Sequence, residues 1–207
     1  MKGDTLFNAA AVVTRAGEEI DAMFDKLSVL LEKELTGVED LREIKFSGEE
    51  DGPGDWAVTG HLKNYGIYRK GKKNPSAYIG IQIRLCDESE AEIVGPQSLL
   101  YVMFSSDTIW KLDEFLLSDA LSDGYELKGG CVWESQEEDE EPSEDAPWYN
   151  QPYRVFVMPL VALNTPEDLK ALVVEPIRQM MQNTLDPKKL DKRILRFKER
   201  GSEVRLA

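Results

Sequence analysis

Histidine and cysteine chemistry is tightly bounded in this chain. His61 is the single histidine in 207 residues, and Cys86 and Cys131 are the two cysteines. One histidine excludes a His-x-x-x-His zinc site and any multi-histidine centre, and two cysteines exclude a four-cysteine site. Nothing in the spacing of His61, Cys86 and Cys131 favours a mixed metal site. A nucleophile–base pair would have to use His61, which stands at a strand end. An imidazole in such a place is usually a hydrogen-bonded or surface residue. The phosphate-cradling glycine loops and the Gly-x-Ser-x-Gly elbow are missing. The residues therefore imply no metal and no cofactor.

Carboxylates offer another route to catalysis. Restriction-type nucleases hold Mg²⁺ on an Asp at one strand and a Glu-x-Lys on the next, and a preceding helix often adds a Glu. Here Glu18 or Glu19 on the first helix, Asp55 ahead of Trp56, and Gln82-Ile83-Arg84 on the strongest strand follow in that order. The order resembles such a site, but the chemistry is deficient. Gln82 is a neutral, weaker ligand than a carboxylate, and Arg84 cannot release a proton near neutral pH. Glu19, Asp55, Gln82 and Arg84 are thus the catalytic candidates of an alternative reading, a nucleic-acid-processing enzyme or an inactive relative with a degenerate nuclease core.

Binding candidates come from charge that is sorted into blocks. Residues 1–60 carry 6 basic and 14 acidic side chains, 61–86 carry 6 and none, 87–150 carry 2 and 18, and 151–207 carry 11 and 7. Within the basic block, Lys63, Tyr65, Tyr68, Arg69, Lys70, Lys72 and Lys73 mix cations with aromatic rings. That mixture suits phosphates and stacked bases, or else forms a solvated hairpin tip facing the chain's own acidic segments. Residues 134–145 hold eight carboxylates in twelve positions, with Glu137, Glu138, Asp139, Glu140 and Glu141 at the centre. This run reads as a solvated loop over 134–147 or as bait for a basic partner, with Trp133 and Trp148 flanking it as anchors. It lacks the spaced pattern of a dedicated calcium loop.

The elements that must position these residues follow from periodicity. Leu6, Ala10, Val13, Gly17, Ile20, Phe24, Leu27 and Leu31 recur at steps of four and three, which predicts a helix over residues 5–36. That stripe serves either as a core seam on a sheet or as a dimerisation seam. Strands are expected at 41–46, 56–62, 65–68, 78–85 and 99–104, and their short separations favour antiparallel pairing. A helix is expected from Ser106 to Ala120, a strand broken by Gly129-Gly130 over 125–133, and a strand with an irregular Pro159 over 154–163. Thr165-Pro166-Glu167-Asp168 is a helix start, and Pro176 should kink or divide the helix over 166–182. Asp186-Pro187 is expected to open a basic helix over 188–200.

Together these predict an α+β fold, a mostly antiparallel sheet carrying the long N-terminal helix and a C-terminal helical segment, in one domain over 1–207. The net charge of −14 disfavours general nucleic-acid binding, and no apolar run is long enough to span a membrane. The start reads as mature sequence, and two thiols suit a reducing cytoplasm. The leading expectation is a non-enzymatic, cytoplasmic interaction module. It would bind a basic protein partner as an inhibitor, immunity or accessory protein, or form a homo-oligomer through the first helix. A small-molecule pocket lined by Trp56 and Trp110 is a further possibility.

Overall fold

A computed structural model describes residues 3–51, 60–85, 88–106, 112, 115–117, 120, 125–135, 153–200 and 203–206. Helix α1 (Gly3–Leu35) precedes strands β1 (Leu41–Asp51), β2 (Gly60–Arg69) and β3 (Ala77–Arg84). A short α2 (Glu88–Val94) leads into β4 (Leu99–Ser106). Then come β5 (Tyr125–Lys128), β6 (Val132–Ser135) and β7 (Tyr153–Pro159). The C-terminal part holds α3 (Pro166–Leu169), a π segment (Lys170–Val174), α4 (Glu175–Met181) and a ribbon of β8 (Phe197–Arg200) and β9 (Glu203–Leu206). The large sheet has the order β1-β2-β3-β4-β7-β6-β5, with every neighbouring pair antiparallel. The α+β architecture expected from the sequence is the one observed.

Strand alternation divides the core into two layers. Tyr65, Ile67, Ile79, Ile81, Ile83, Leu100, Val102, Phe156 and Met158 face α1 and the α3–α4 segment. Leu62, Tyr78, Tyr101, Met103, Val155 and Val157 face the other way, under Leu112, Phe115, Leu117 and Phe197. Every residue of β3 is buried, because this central strand is covered on both faces. Ile20, Phe24, Leu27, Leu31 and Leu35 of α1 are buried in the first layer. Complete burial of one such side chain contributes about 1.5–3 kcal/mol. The stripe is therefore a seam within the chain's own core from Ile20 onward, which removes this part of it from dimerisation. The side chains of Leu6, Ala10 and Val13 lie outside the described ones.

Several local expectations are corrected. Residues 56–62 and 65–68 do not make two strands in the described part. Gly60–Arg69 is continuous, and 52–59 lie outside the described residues. The 125–133 segment is a hairpin: β5 and β6 pair with each other through a turn in which Gly129 and Gly130 have φ of 58° and 75°. The last expected strand ends at Pro159, and Leu160–Ala162 is a single 3₁₀ turn. No helix spans 188–200. Pro187–Lys189 is a 3₁₀ turn, the chain then runs irregularly, and Phe197 onward is strand. The spacing of Leu190, Ile194 and Phe197 is real, but Ile194 and Phe197 pack into opposite layers of the core, which no single helix face can do. Most of the helix expected over 106–120 lies outside the described residues.

The start at Thr165 is as expected. Its hydroxyl accepts from the Asp168 N–H, while the Asp168 carboxylate accepts from the Thr165 N–H, a reciprocal capping box. The helical run over 166–181 is unbroken at Pro176, but the five residues from Lys170 to Val174 ahead of it are π rather than α. The π segment lies directly ahead of α4, with the Glu175 N–H donating back to Lys170 O. The wider turn makes room for a proline ring that would clash with the carbonyl four residues earlier.

Candidate functional site

The basic block is one stretch of sequence but two places in the fold. Lys63 is half-buried on the α1 side of β2, with its ammonium 4.6 Å from the centre of the Phe24 ring. Tyr65 is buried beside it, with its hydroxyl 3.0 Å from the Ser28 Oγ of α1. His61 is also buried on β2, at 8% exposure. Seven residues of extended chain, roughly 23 Å, separate Lys63 from Lys70.

Arg69, Lys70, Lys72 and Lys73 occupy the β2–β3 turn and are all exposed. None makes an ion pair with a described residue. The turn backbone is nonetheless well held. Lys72 N–H donates to Arg69 O at 3.2 Å, Lys70 N–H to Asp40 O at 2.9 Å, and Ser76 N–H to Ile67 O at 2.8 Å. Gly71 supplies the φ of 78° that the turn needs and that a side chain would disfavour. From β1, Arg42 Nη1 donates to Lys72 O at 2.9 Å, while its guanidinium carbon lies 5.3 Å from the Tyr68 ring centre. Lys45 Nζ lies 5.8 Å from the same ring. Glu43 pairs with both Lys45 and Arg42, which hold its carboxyl below the usual range, chiefly through the Lys45 hydrogen bond.

A second charged surface was not foreseen as such. Glu18, Asp21, Asp25 and Glu32 are exposed along one flank of α1, beside exposed Lys26 and Lys33, and make no ion pair with a described residue. They span about 21 Å of helix. Asp21 and Asp25 are like charges one turn apart, an arrangement that costs a few tenths of a kcal/mol. Their spacing is readable from the sequence once the buried side of α1 is fixed.

The nuclease constellation is not assembled by the described residues. Glu19 is solvated on α1 and pairs with Arg15 at 3.1 Å. Gln82 points to the other side of the sheet and is fully buried. Its amide Nε2 donates to Phe115 O at 3.0 Å and its Oε1 accepts from Phe115 N–H at 2.8 Å. Asn64, missed in the sequence, does the same to Leu112, donating at 3.0 Å and accepting at 3.1 Å. These two amides act as surrogate peptide groups that fasten the main chain of Leu112 and Phe115 across the sheet. Buried Arg84 pairs with buried Glu90, with Nε to Oε2 at 3.5 Å, and the Tyr101 hydroxyl donates to Glu90 Oε1. Asp55 lies outside the described residues.

Glu137, Glu138, Asp139, Glu140 and Glu141 also lie outside the described residues, as do Trp56, Trp110, Trp148 and Cys86. Of the acidic run, Glu134 is in β6 and pairs with Arg154 at 2.6 Å. Trp133 is no surface anchor. It is buried, with its ring 5.6 Å from that of Phe197. Cys131 is a buried, unbridged thiol that donates to Pro187 O at 3.1 Å. Burial pushes its pKa up, with Arg196 opposing, so it stays protonated at neutral pH.

A groove of about 580 Å³ beside α4 is lined by Glu175, Gln179, Thr184, Asp186, Lys189 and Asp191, among others. Its carboxylates are already engaged: Glu175 with Arg178, Asp186 with Lys189, and Asp191 with Arg193. No group of metal-ligating side chains occurs among the described residues, and no described helix is long and apolar enough to cross a membrane. No protein-family model, curated protein or solved structure matches the chain.

Proposed function

We propose that this chain is a non-enzymatic interaction module that engages a basic protein through a row of exposed carboxylates on α1. The observation that carries the reading is the row of Glu18, Asp21, Asp25 and Glu32, exposed on a helix whose opposite side is locked into the core. A rigid helix presents these charges without an ordering cost on binding, and such a field steers an oppositely charged partner. The local repulsion between Asp21 and Asp25 is a cost that a purely structural helix has no use for. Inhibitor, immunity and accessory roles all share this physics. A cytoplasmic setting suits the buried, unbridged Cys131.

The alternative, a degenerate nuclease, has less support, because Gln82 and Arg84 are engaged within the fold and Glu19 lies beyond the opposite face of the sheet. The test is affinity capture from the native host at low and physiological salt. The bait is the wild type or a variant with Glu18→Gln, Asp21→Asn, Asp25→Asn and Glu32→Gln. The expected result is a stoichiometric basic protein that salt releases and that the variant fails to retain. Retention unchanged by the four substitutions would refute the α1 reading. Mg²⁺-dependent nucleic-acid cleavage abolished by Asp55→Ala would replace it with the enzyme.

A further inference from the structure

The β2–β3 turn is the one place among the described residues where four cations stand together, exposed and without ion pairs. Elsewhere the fold has carboxylates close at hand, yet it leaves these four open. They are not a loose tail. Three main-chain hydrogen bonds and the Arg42 guanidinium hold the turn that carries them. Holding like charges together on an ordered backbone works against folding, and this is the kind of local conflict that marks a binding surface.

We infer that this turn, backed by Arg42 and Lys45, docks the phosphodiester backbone of a nucleic acid. Two features select that partner over an acidic protein. First, residues 69–74 are all exposed and none is a large apolar side chain, so the turn lacks the desolvated centre around which protein interfaces are built. Phosphate recognition needs no such centre, because paired charge and counterion release supply the affinity. Second, Arg42 and Lys45 occupy the surroundings of the Tyr68 ring, which disposes it to brace cations rather than stack a base. Recognition is then of backbone and not of sequence.

The chain's overall negative charge limits this contact to the turn and does not forbid it. At physiological salt, charges more than about 8 Å away are largely screened. Glu43, beside the patch, is already shared between Arg42 and Lys45, whereas exposed Asp40, whose carbonyl accepts from Lys70 N–H, and its neighbour Glu39 stand next to the turn and weaken its field without cancelling four cations. The turn shares no residue with the α1 row, so the two readings are tested by different variants.

The test is fluorescence anisotropy of a labelled single-stranded oligonucleotide of mixed sequence with the full chain, across a salt series. Four phosphate contacts predict a slope of log affinity against log salt of about −3, or about fifty-fold weaker binding over a fourfold rise in salt. The variant Arg69→Gln, Lys70→Gln, Lys72→Gln and Lys73→Gln should lose at least about tenfold in affinity and most of that slope. Its circular dichroism melt should be no lower than that of the wild type, since these side chains are exposed and their mutual repulsion is removed. The quadruple neutral variant of the α1 row should bind at least as well as the wild type. The proposal is overturned by any of three results: no binding at low salt, binding unchanged in the turn variant, or competition by poly-glutamate as effective as that by unlabelled oligonucleotide.

Discussion

The C-terminal part and the β2–β3 turn are both rich in cations and use them in opposite ways. Arg193 donates to Asp191 through Nε and Nη2, both at 3.1 Å, and to Asp168 at 2.5 Å. Arg178 bonds Glu34 O at 2.6 Å and pairs with Glu175. Arg196 donates to the carbonyls of Gly129, Pro187 and Leu190 and to Cys131 Sγ. Each of these guanidiniums ties together segments that are not neighbours in sequence. At the turn, Arg69, Lys70, Lys72 and Lys73 reach only solvent among the described residues. Charge density alone does not mark a binding surface. What matters is whether the fold has already answered the charge.

That contrast can be broken by substitution. The largest effect is expected deepest inside, where Arg84 and Glu90 are paired away from water. Arg84→Met should cost about 3–5 kcal/mol in urea unfolding, because it removes the cation paired with a buried carboxylate. Replacement of both partners, Arg84→Met with Glu90→Leu, should recover much of the loss. Failure to recover would mean that the pair holds more than itself.

Next comes Arg196→Met, which removes the guanidinium that joins the β5–β6 turn to the C-terminal segment. A loss of about 1.5–3 kcal/mol is expected, measured as a lower urea midpoint at unchanged slope.

Asp168 gives a pH-resolved version of the comparison. Its carboxyl is lowered from 3.8 to about 2, first by Arg193, then by Thr165 and the main-chain N–H groups of Asn164 and Thr165. A depressed carboxyl stabilises the fold fully above its ordinary value, and the contribution is lost as pH falls through about 2. Asp168→Asn should therefore lower the melting temperature at neutral pH and flatten its decline between about pH 4 and pH 2. Identical pH profiles would sever the link between Asp168 and the cap.

The smallest effect is expected at the turn. Lys70→Gln, Lys72→Gln and Lys73→Gln should each change stability by less than about 0.5 kcal/mol. If any cost as much as Arg196→Met, the turn cations would be structural after all, and the contrast would collapse.

Much of the fold was legible because it is written at short range. The α1 stripe from Ile20 to Leu35, the run of β-formers in β3 and the Thr165 cap each depend on residues within a few positions of one another. The failures share a different cause. The spacing over 188–200 is helical, yet Ile194 and Phe197 answer to opposite layers of the core. Gln82 resembled a poor metal ligand because its partner, Phe115, is 33 residues away. Asn64 gave no signal at all, since nothing local distinguishes an amide that binds the main chain of Leu112 from one in water. Of the candidate site, the cations at 69–73 were readable, but their separation from Lys63 and Tyr65 was not.

The sequence by itself determined the secondary-structure alphabet, the α+β class and the segregation of charge, because periodicity, capping and composition are local properties. Only the tertiary structure decided which charges remain available. It gave Glu34 to Lys170 and Arg178, Glu134 to Arg154, and Asp168 to Arg193, while leaving the α1 row and the β2–β3 turn unanswered. An ion pair forms over a few ångströms, and the fold alone sets which side chains, up to 144 residues apart for Glu34 and Arg178, come that close.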